Sequence, residues 1–391
     1  PNLPNGYCIR GLILKNLHKY EESKLSLEKA IELDKDYFDA YINLGLLNKD
    51  FNNYIDAEKY YLKAIEINSE SAIAHLNLGA CYKEILELDK ALLHTEKAIK
   101  LDGELKNSYL NLATIYSQKG DYLKSLSLAR KELSINKNSE FCYQHISELI
   151  KKEGILNLSE KENKELLSNI LIRKDISHRE LFRNINDIIS SDILETLSSF
   201  KFEVDCSKEF NILIKDKEVR QALPLLIFCS ALWEKALVQT RRRMLINYSE
   251  NKKMNKHIVN FTIALGAQCF LNEYVYYISE EERHKLEEIK KSINNNHKDQ
   301  EYKLALISCY QSLYSINNKF IDLNNYKSNN IEFNNLLKLQ FREIIIEQSI
   351  SKTIAKIGTI ADPISRAVKN QYESNPYPRW RYNSYAKDKK L

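Results

Sequence analysis

The hydrophobic pattern of this chain has two periods, one nested in the other. Within short windows apolar residues recur at helical spacing. Ala57, Tyr61, Ala64 and Ile65 fall at i, i+4, i+7 and i+8, one face of an amphipathic helix. Over longer distances small and aromatic residues recur about every 34 positions. Gly11, Gly45, Gly79 and Ala113 keep that interval, as do Ala30, Ala64 and Ala98, and Tyr7, Tyr41, His75 and Tyr109. The small residues mark places where two helices cross and their backbones must approach closely. Polar stretches at 15–20, 50–54 and 118–122 are the turns inside hairpins, and links such as 33–36 close them. The spacing predicts four helix–turn–helix units at 4–37, 38–71, 72–105 and 106–139.

The regularity then fades. Phe141, Tyr143, Ile146, Leu149 and Ile150 predict one more helix, a cap over the open end of the stack, and Gly154 marks a break. Ser159 followed by Glu160-Lys161-Glu162 reads as a helix start. Beyond it the pattern stays helical without a repeat, with candidate helices at 159–172, 177–190, 191–200, 217–247, 255–278, 279–294, 299–316 and 331–348. Pro224 starts or kinks the fourth of these. Asn- and Lys-rich stretches at 249–257, 293–300 and 323–330 read as exposed loops. Asp362-Pro363 opens a short helix to Glu373, and two prolines one residue apart then impose an extended strap at 375–380. The expected order is a repeat superhelix (1–139), a capping helix and break (140–158), an irregular α-helical middle domain (159–355), and a helix plus strap (356–391).

Composition narrows this to an all-α chain. Only 9 glycines and 6 prolines occur in 391 residues, too few for the turns of a strand-rich protein. A net charge of +5 is small for a dedicated nucleic-acid binder. The densest basic cluster is Arg241-Arg242-Arg243 with Lys252, Lys253, Lys256 and His257. Successive helical residues point about 100° apart, so the three arginines are expected to ring a solvated helix end or to make domain-contact salt bridges, rather than to bind nucleic acid or phosphate. The seven cysteines are scattered, without CxxC or zinc-ligand spacing, which predicts buried reduced thiols in a cytoplasmic protein. The longest apolar run, 223–233, is too short to span a bilayer, and no signal peptide is expected. Pro1 stands where a preceding unit would place its final proline, so at least one further repeat is expected upstream. No nucleotide loop, metalloprotease or nucleophile-elbow motif occurs, and His75 and His94 read as packing variants inside repeats.

The repeat resembles the tetratricopeptide (TPR) helix–turn–helix, an architecture that presents a binding surface. Asn43, Asn77 and Asn111 share one register on the first helices. They resemble the asparagine ladder of sugar-transferase repeat domains, which holds a peptide backbone; the other reading is that each simply bonds a neighbouring helix. Ile9 stands at that place in the first unit, so a ladder would be short. Lys49 and Lys83 repeat, but Ser117 breaks any two-carboxylate clamp.

Two further segments, 261–282 and 364–380, are similar to bacterial proteins in which TPRs precede a class I S-adenosylmethionine-dependent methyltransferase domain. The matching residues are Gln268, Cys269, Phe270, Asn272, Glu273, Tyr274 and Val275, and then Gln371, Tyr372, Glu373, Asn375, Pro376, Tyr377, Pro378, Arg379 and Trp380. The resemblance implies a recruiting and linking region for a protein or peptide partner. The catalytic domain and its S-adenosylmethionine would lie beyond the strap, because no strand, glycine-rich loop and helix follow here. The strap would then be an interdomain packing anchor or a lid over cofactor or substrate. The alternatives are a freestanding TPR scaffold and, with no supporting motif, a helical enzyme. Nucleic acid and membrane are not expected partners.

Overall fold

The computed structural model describes residues 3–152, 160–176, 178, 181–186, 188–199, 207–250, 254–293, 299–353 and 362–363. The chain divides into two compact units, Pro1–Asn157 and Leu158–Leu391.

The first unit is a stack of helical hairpins. Its helices are α1 (Pro4–Asn16), α2 (Tyr20–Leu33), α3 (Phe38–Asp50), α4 (Tyr54–Ile67), α5 (Ala72–Glu84), α6 (Leu88–Leu101), α7 (Ser108–Gln118), α8 (Tyr122–Ile135) and α9 (Glu140–Ile150). The crossing residues are small because the partner helix leaves no room. A Cβ on Gly45 would lie 2.4 Å from the ring of the fully buried Tyr61, and one on Gly79 would lie 2.4 Å from Thr95 Oγ1. Ala30, Ala64 and Ala98 are completely buried at equivalent places. The fourth unit departs from this: Glu132 stands there, also fully buried, and its Oε1 accepts from the Asn107 backbone N–H at 2.8 Å.

All four intra-hairpin turns use one device. His18, Asn52, Leu86 and Gly120 have φ of 60°, 58°, 63° and 84°, at one register. The next residue's N–H closes back on the first helix: Lys19 to Leu14, Asn53 to Asn48, Glu87 to Tyr82 and Asp121 to Tyr116, each at 2.9 Å. This is the Schellman closure, which satisfies carbonyls that a helix end leaves open. Only the fourth turn spends a glycine on it.

The second unit is irregular. It contains α10 (Glu160–Leu171), α11 (Phe182–Asn186), α12 (Ser191–Ser198), α13 (Ser207–Lys215), α14 (Lys217–Ala222), α15 (Ala231–Ser249), α16 (Lys256–Leu271), α17 (Glu280–Lys291), α18 (Gln300–Ser308), a 3-10 turn (Leu313–Ile316), α19 (Ile331–Leu337), a π turn (Lys338–Arg342) and α20 (Glu343–Thr353). Helix α16 is the axis: its residues from Phe261 to Leu271 are all buried, against α13, α14, α15, α18 and α19. Gly266 lets α18 approach, since a Cβ there would fall 2.0 Å from Ser308 Oγ. Gln340, in the π turn and fully buried, ties three segments together. Its Nε2 donates to the carbonyls of Gly266 (2.7 Å) and Ser308 (3.1 Å), and its Oε1 accepts from the Leu313 N–H (3.2 Å).

Several predicted boundaries shift. The helix expected at 217–247 is two, α14 and α15, separated by a partly buried non-helical stretch through Pro224, which has no N–H to continue a ladder. The helix expected at 255–278 stops at Leu271, and that expected at 299–316 stops at Ser308. The last one runs on through the π turn to Thr353, and α13 lies where no helix is expected. The helix expected between Pro363 and Glu373, and the strap with Gln371, Tyr372, Asn375, Pro376, Tyr377, Pro378, Arg379 and Trp380, lie outside the described residues.

Candidate functional site

Two places gather the residues singled out by sequence. The first is the inner side of the repeat stack. Consecutive first helices touch one another, α1 with α3, α3 with α5, α5 with α7 and α7 with α9. Asn43, Asn77 and Asn111 occupy equivalent points on α3, α5 and α7, and each is half-buried. The preceding residue in each helix, Ile42, Leu76 or Leu110, is 8%, 9% or 8% exposed. The Asn43 amide donates to Cys8 Sγ on the neighbouring α1, at 3.5 Å, so part of its capacity goes to the adjacent helix. The cations of this face are partly neutralised: Lys15 bridges to Asp50 of the next unit at 2.7 Å, and Lys83 to Glu84 at 3.0 Å.

Besides His18 in the first turn, three histidines lie within this stack. His75 is 2% exposed, with Nε2 at 3.2 Å from the Ser69 carbonyl and Nδ1 at 3.0 Å from His94 Nδ1. A nitrogen facing a carbonyl carries the proton, so His75 Nδ1 accepts and His94 Nδ1 donates. Burial pushes both imidazoles below their ordinary range, and for His94 the neighbouring His75 adds to the effect. His145 Nε2 sits 2.9 Å from Ser125 Oγ, which itself donates to the Ala113 carbonyl at 2.7 Å. Burial, and then Lys83 and Lys152, lower His145 to about 4.

The second place is the corner after α16. Glu273 and Tyr274 both have left-handed backbones, φ 57° and 59°, without a glycine. Tyr274 N–H closes on the Cys269 carbonyl at 2.8 Å. Two consecutive such residues cost about 1–3 kcal/mol each and persist only where surroundings over-determine them. The surroundings here centre on Arg241. It was expected at a solvated helix end, and the structure corrects this: Arg241 is completely buried. Its Nη2 donates to the Tyr277 carbonyl (2.6 Å), its Nη1 to the Cys309 carbonyl (3.2 Å), and the guanidinium lies 4.2 Å from the Tyr310 ring centre. Glu282 Oε1, 3.8 Å from Nη2, accepts from Tyr310 Oη at 2.9 Å, while its Oε2 caps α17 through the Ser279 N–H. The other two arginines diverge as helical geometry requires, Arg242 to Glu281 and Arg243 to Ser207.

The motif residues around this corner hold it in shape. Gln268, fully buried, donates to the carbonyls of Leu223 and Leu226 when its amide is oriented to match them, fastening the non-helical stretch between α14 and α15. Cys269 and Cys309 are buried side by side, and burial drives the Cys309 thiol well up. Phe270 meets Tyr274 edge-on at 6.3 Å, and Asn272 ends α16. Glu273 Oε1 is buried without a hydrogen-bond partner among the described residues. Val275 and Tyr277 point outward, 70% and 76% exposed. Sequence reasoning misses Arg241, Tyr310 and Gln340 as organising residues; the only signal is a polar side chain within a helical apolar run.

Five cysteines, Cys8, Cys81, Cys142, Cys269 and Cys309, are buried as expected, whereas Cys229 is exposed. Among the described residues no group of three His, Cys, Asp or Glu side chains has metal-binding geometry, and no helix is long and apolar enough to cross a membrane. They also include no strand, so the strand–glycine-rich turn–helix unit that would seat S-adenosylmethionine is not among them, and they do not fit that group.

Residues 4–37, 38–71 and 107–139 match the tetratricopeptide repeat family. The third hairpin, α5 and α6, lies outside those matches yet has the same turn and crossing geometry. No curated protein matches the chain significantly. Among solved structures, MamA is 22% identical, covering 42% of this chain and 91% of that one, with a TM-score of 0.37. The pilF protein of Pseudomonas aeruginosa is 19% identical, covering 54% and 96%, with a TM-score of 0.37. YrrB, described as a TPR protein with an unusual peptide-binding site, is 16% identical, covering 42% and 83%, with a TM-score of 0.34.

Proposed function

We propose that the repeat unit receives an extended segment of a protein partner in the cytoplasm, and that the second unit couples this receptor to an S-adenosylmethionine-dependent methyltransferase. The observation that carries the first half is the register of Asn43, Asn77 and Asn111, half-buried on touching first helices above Ile42, Leu76 and Leu110. An amide offers two donors and an acceptor, which matches a peptide backbone whatever its side chains. The tetratricopeptide match supports the same reading. The second half rests on the motif residues Gln268 to Val275 and Gln371 to Trp380.

Peptides selected from a random display library against the full chain test the receptor. Each amide–backbone bond contributes about 0.5–1.5 kcal/mol, so replacing all three asparagines by Ala weakens a selected peptide by roughly tenfold to a thousandfold. Unchanged affinity removes the ladder. The reading frame beyond Leu391 tests the methyltransferase half: a strand, glycine-rich turn and helix there supports it. A frame without them leaves the freestanding scaffold.

A further inference from the structure

The second unit contains a groove of about 740 Å³, within the range of about 300–1,000 Å³ typical of ligand pockets. Its floor is aliphatic. Ile263, Ala264 and Ala267 share one face of α16, and Leu336 and Leu339 flank them. The two alanines leave the depth, because no longer side chain grows from α16 there. Among the described residues no aromatic ring lines the groove, so a flat ring would find nothing to stack on.

The polar lining is unfinished. Arg220 faces the groove from α14, and its guanidinium carries five N–H donors. It makes no hydrogen bond among the described residues, and its Nε is buried without a partner there. Glu332 approaches only to 3.8 Å, too far for a hydrogen bond. Lys174 follows α10, which packs on α14, and it has no ion-pair partner among the described residues. The charged lining is balanced, with Lys174, Arg220 and Lys338 against Glu332, Glu343 and Glu347. That balance suits a ligand with one negative charge and disfavours a doubly charged phosphate.

We infer that the groove binds one aliphatic monocarboxylate, its alkyl chain along Ala264, Ala267, Leu336 and Leu339 and its carboxylate on Arg220, with Lys174 adding a second positive charge. Two considerations select this ligand. A carboxylate is the planar acceptor that a guanidinium fork matches through two parallel hydrogen bonds, and it satisfies donors that the protein leaves open. An alkyl chain gains about fourfold in affinity for each methylene buried on such a floor, and it needs neither a ring to stack on nor a further polar partner. The inference goes beyond the peptide-receptor reading and does not depend on it.

Calorimetric titration of the full chain with octanoate, decanoate and dodecanoate, each below its micelle concentration, tests it. The expected result is one site per chain and an affinity that rises about fourfold per methylene along the series. Decyltrimethylammonium, with the chain of decanoate's length and the opposite charge, binds at least tenfold more weakly than decanoate. Arg220→Gln weakens dodecanoate by roughly tenfold to a hundredfold, the loss of hydrogen bonds to a charged group. Ala267→Leu fills the floor and weakens it at least tenfold, and far-ultraviolet circular dichroism checks that both variants keep their helices. Should Ala267→Leu fail to fold, Arg220→Gln, at a partly exposed side chain, still decides the matter. The inference is overturned if none of the three acids binds, if decyltrimethylammonium binds as tightly as decanoate, or if Arg220→Gln leaves the affinity unchanged. An affinity that falls as protein concentration rises assigns the groove to a second copy and overturns it as well.

Discussion

The two units bury helices by different means. In the repeat unit one packing solution recurs, with a small residue at each crossing and a left-handed turn between helices. In the second unit no solution repeats, and single buried polar groups, Arg241 and Gln340, tie segments that are far apart in sequence. The first design spreads stability over equivalent interfaces. The second concentrates it in a few side chains whose loss has no neighbour to compensate.

Substitutions sharpen that contrast, and the largest effect belongs to Arg241. Arg241→Met leaves Glu282 buried without its cation and two carbonyls without donors, a loss of about 3–5 kcal/mol. Trp233 fluorescence during denaturation reads this, because Trp233 is fully buried in the same unit. An unshifted transition would mean that the second unit is as distributed as the first. Gly45→Ala is smaller: overpacking against Tyr61 costs about 1–3 kcal/mol, offset by roughly 1 kcal/mol of helix propensity. Hydrogen exchange in α3 and α4 measures it, and a stabilised hairpin would contradict the close-crossing account.

Acidification separates the units through the repeat histidines. His145 is near 6.5 in an unfolded chain and about 4 in the fold. Above pH about 6.5 both states are neutral there and the full stability is present. Below it the unfolded chain takes up protons first, so the repeat unit loses stability until pH falls to about 4. The lowered His75 and His94 act in the same direction. Denaturation midpoints at pH 7, above the unfolded imidazole's value, and at pH 5, between the unfolded and folded values, check this, and His145→Gln flattens the dependence. The smallest effect is Leu86→Gly. It relieves about 1–2 kcal/mol of left-handed strain and costs about 0.5–1 kcal/mol of chain entropy, a net gain below about 1.5 kcal/mol. A loss would show that the Leu86 turn is not the strained member of its series.

The same contrast explains what the sequence makes legible. Gly11, Gly45 and Gly79 meet one steric demand three times, so the period writes it into the chain. The turn conformation escapes notice because His18, Asn52 and Leu86 carry it without glycine. In the second unit the information is not local. Three adjacent arginines read as a solvated end, yet the groups that bury Arg241 come from residues 277, 282, 309 and 310. Likewise Asn272 stops α16 although its apolar pattern continues to Tyr276, which the fold uses as a buried anchor for the corner. The asparagine column is legible as a register; the partial engagement of Asn43 by Cys8 is not.

The central claim is that equivalent points on the first helices form a receptor. Side-chain amide resonances of Asn43, Asn77 and Asn111, followed while a library-selected peptide is titrated into the full chain, test it most directly. The account predicts that all three move together and saturate at one stoichiometric point. Peptide binding that leaves these amides in place and perturbs other residues would contradict it.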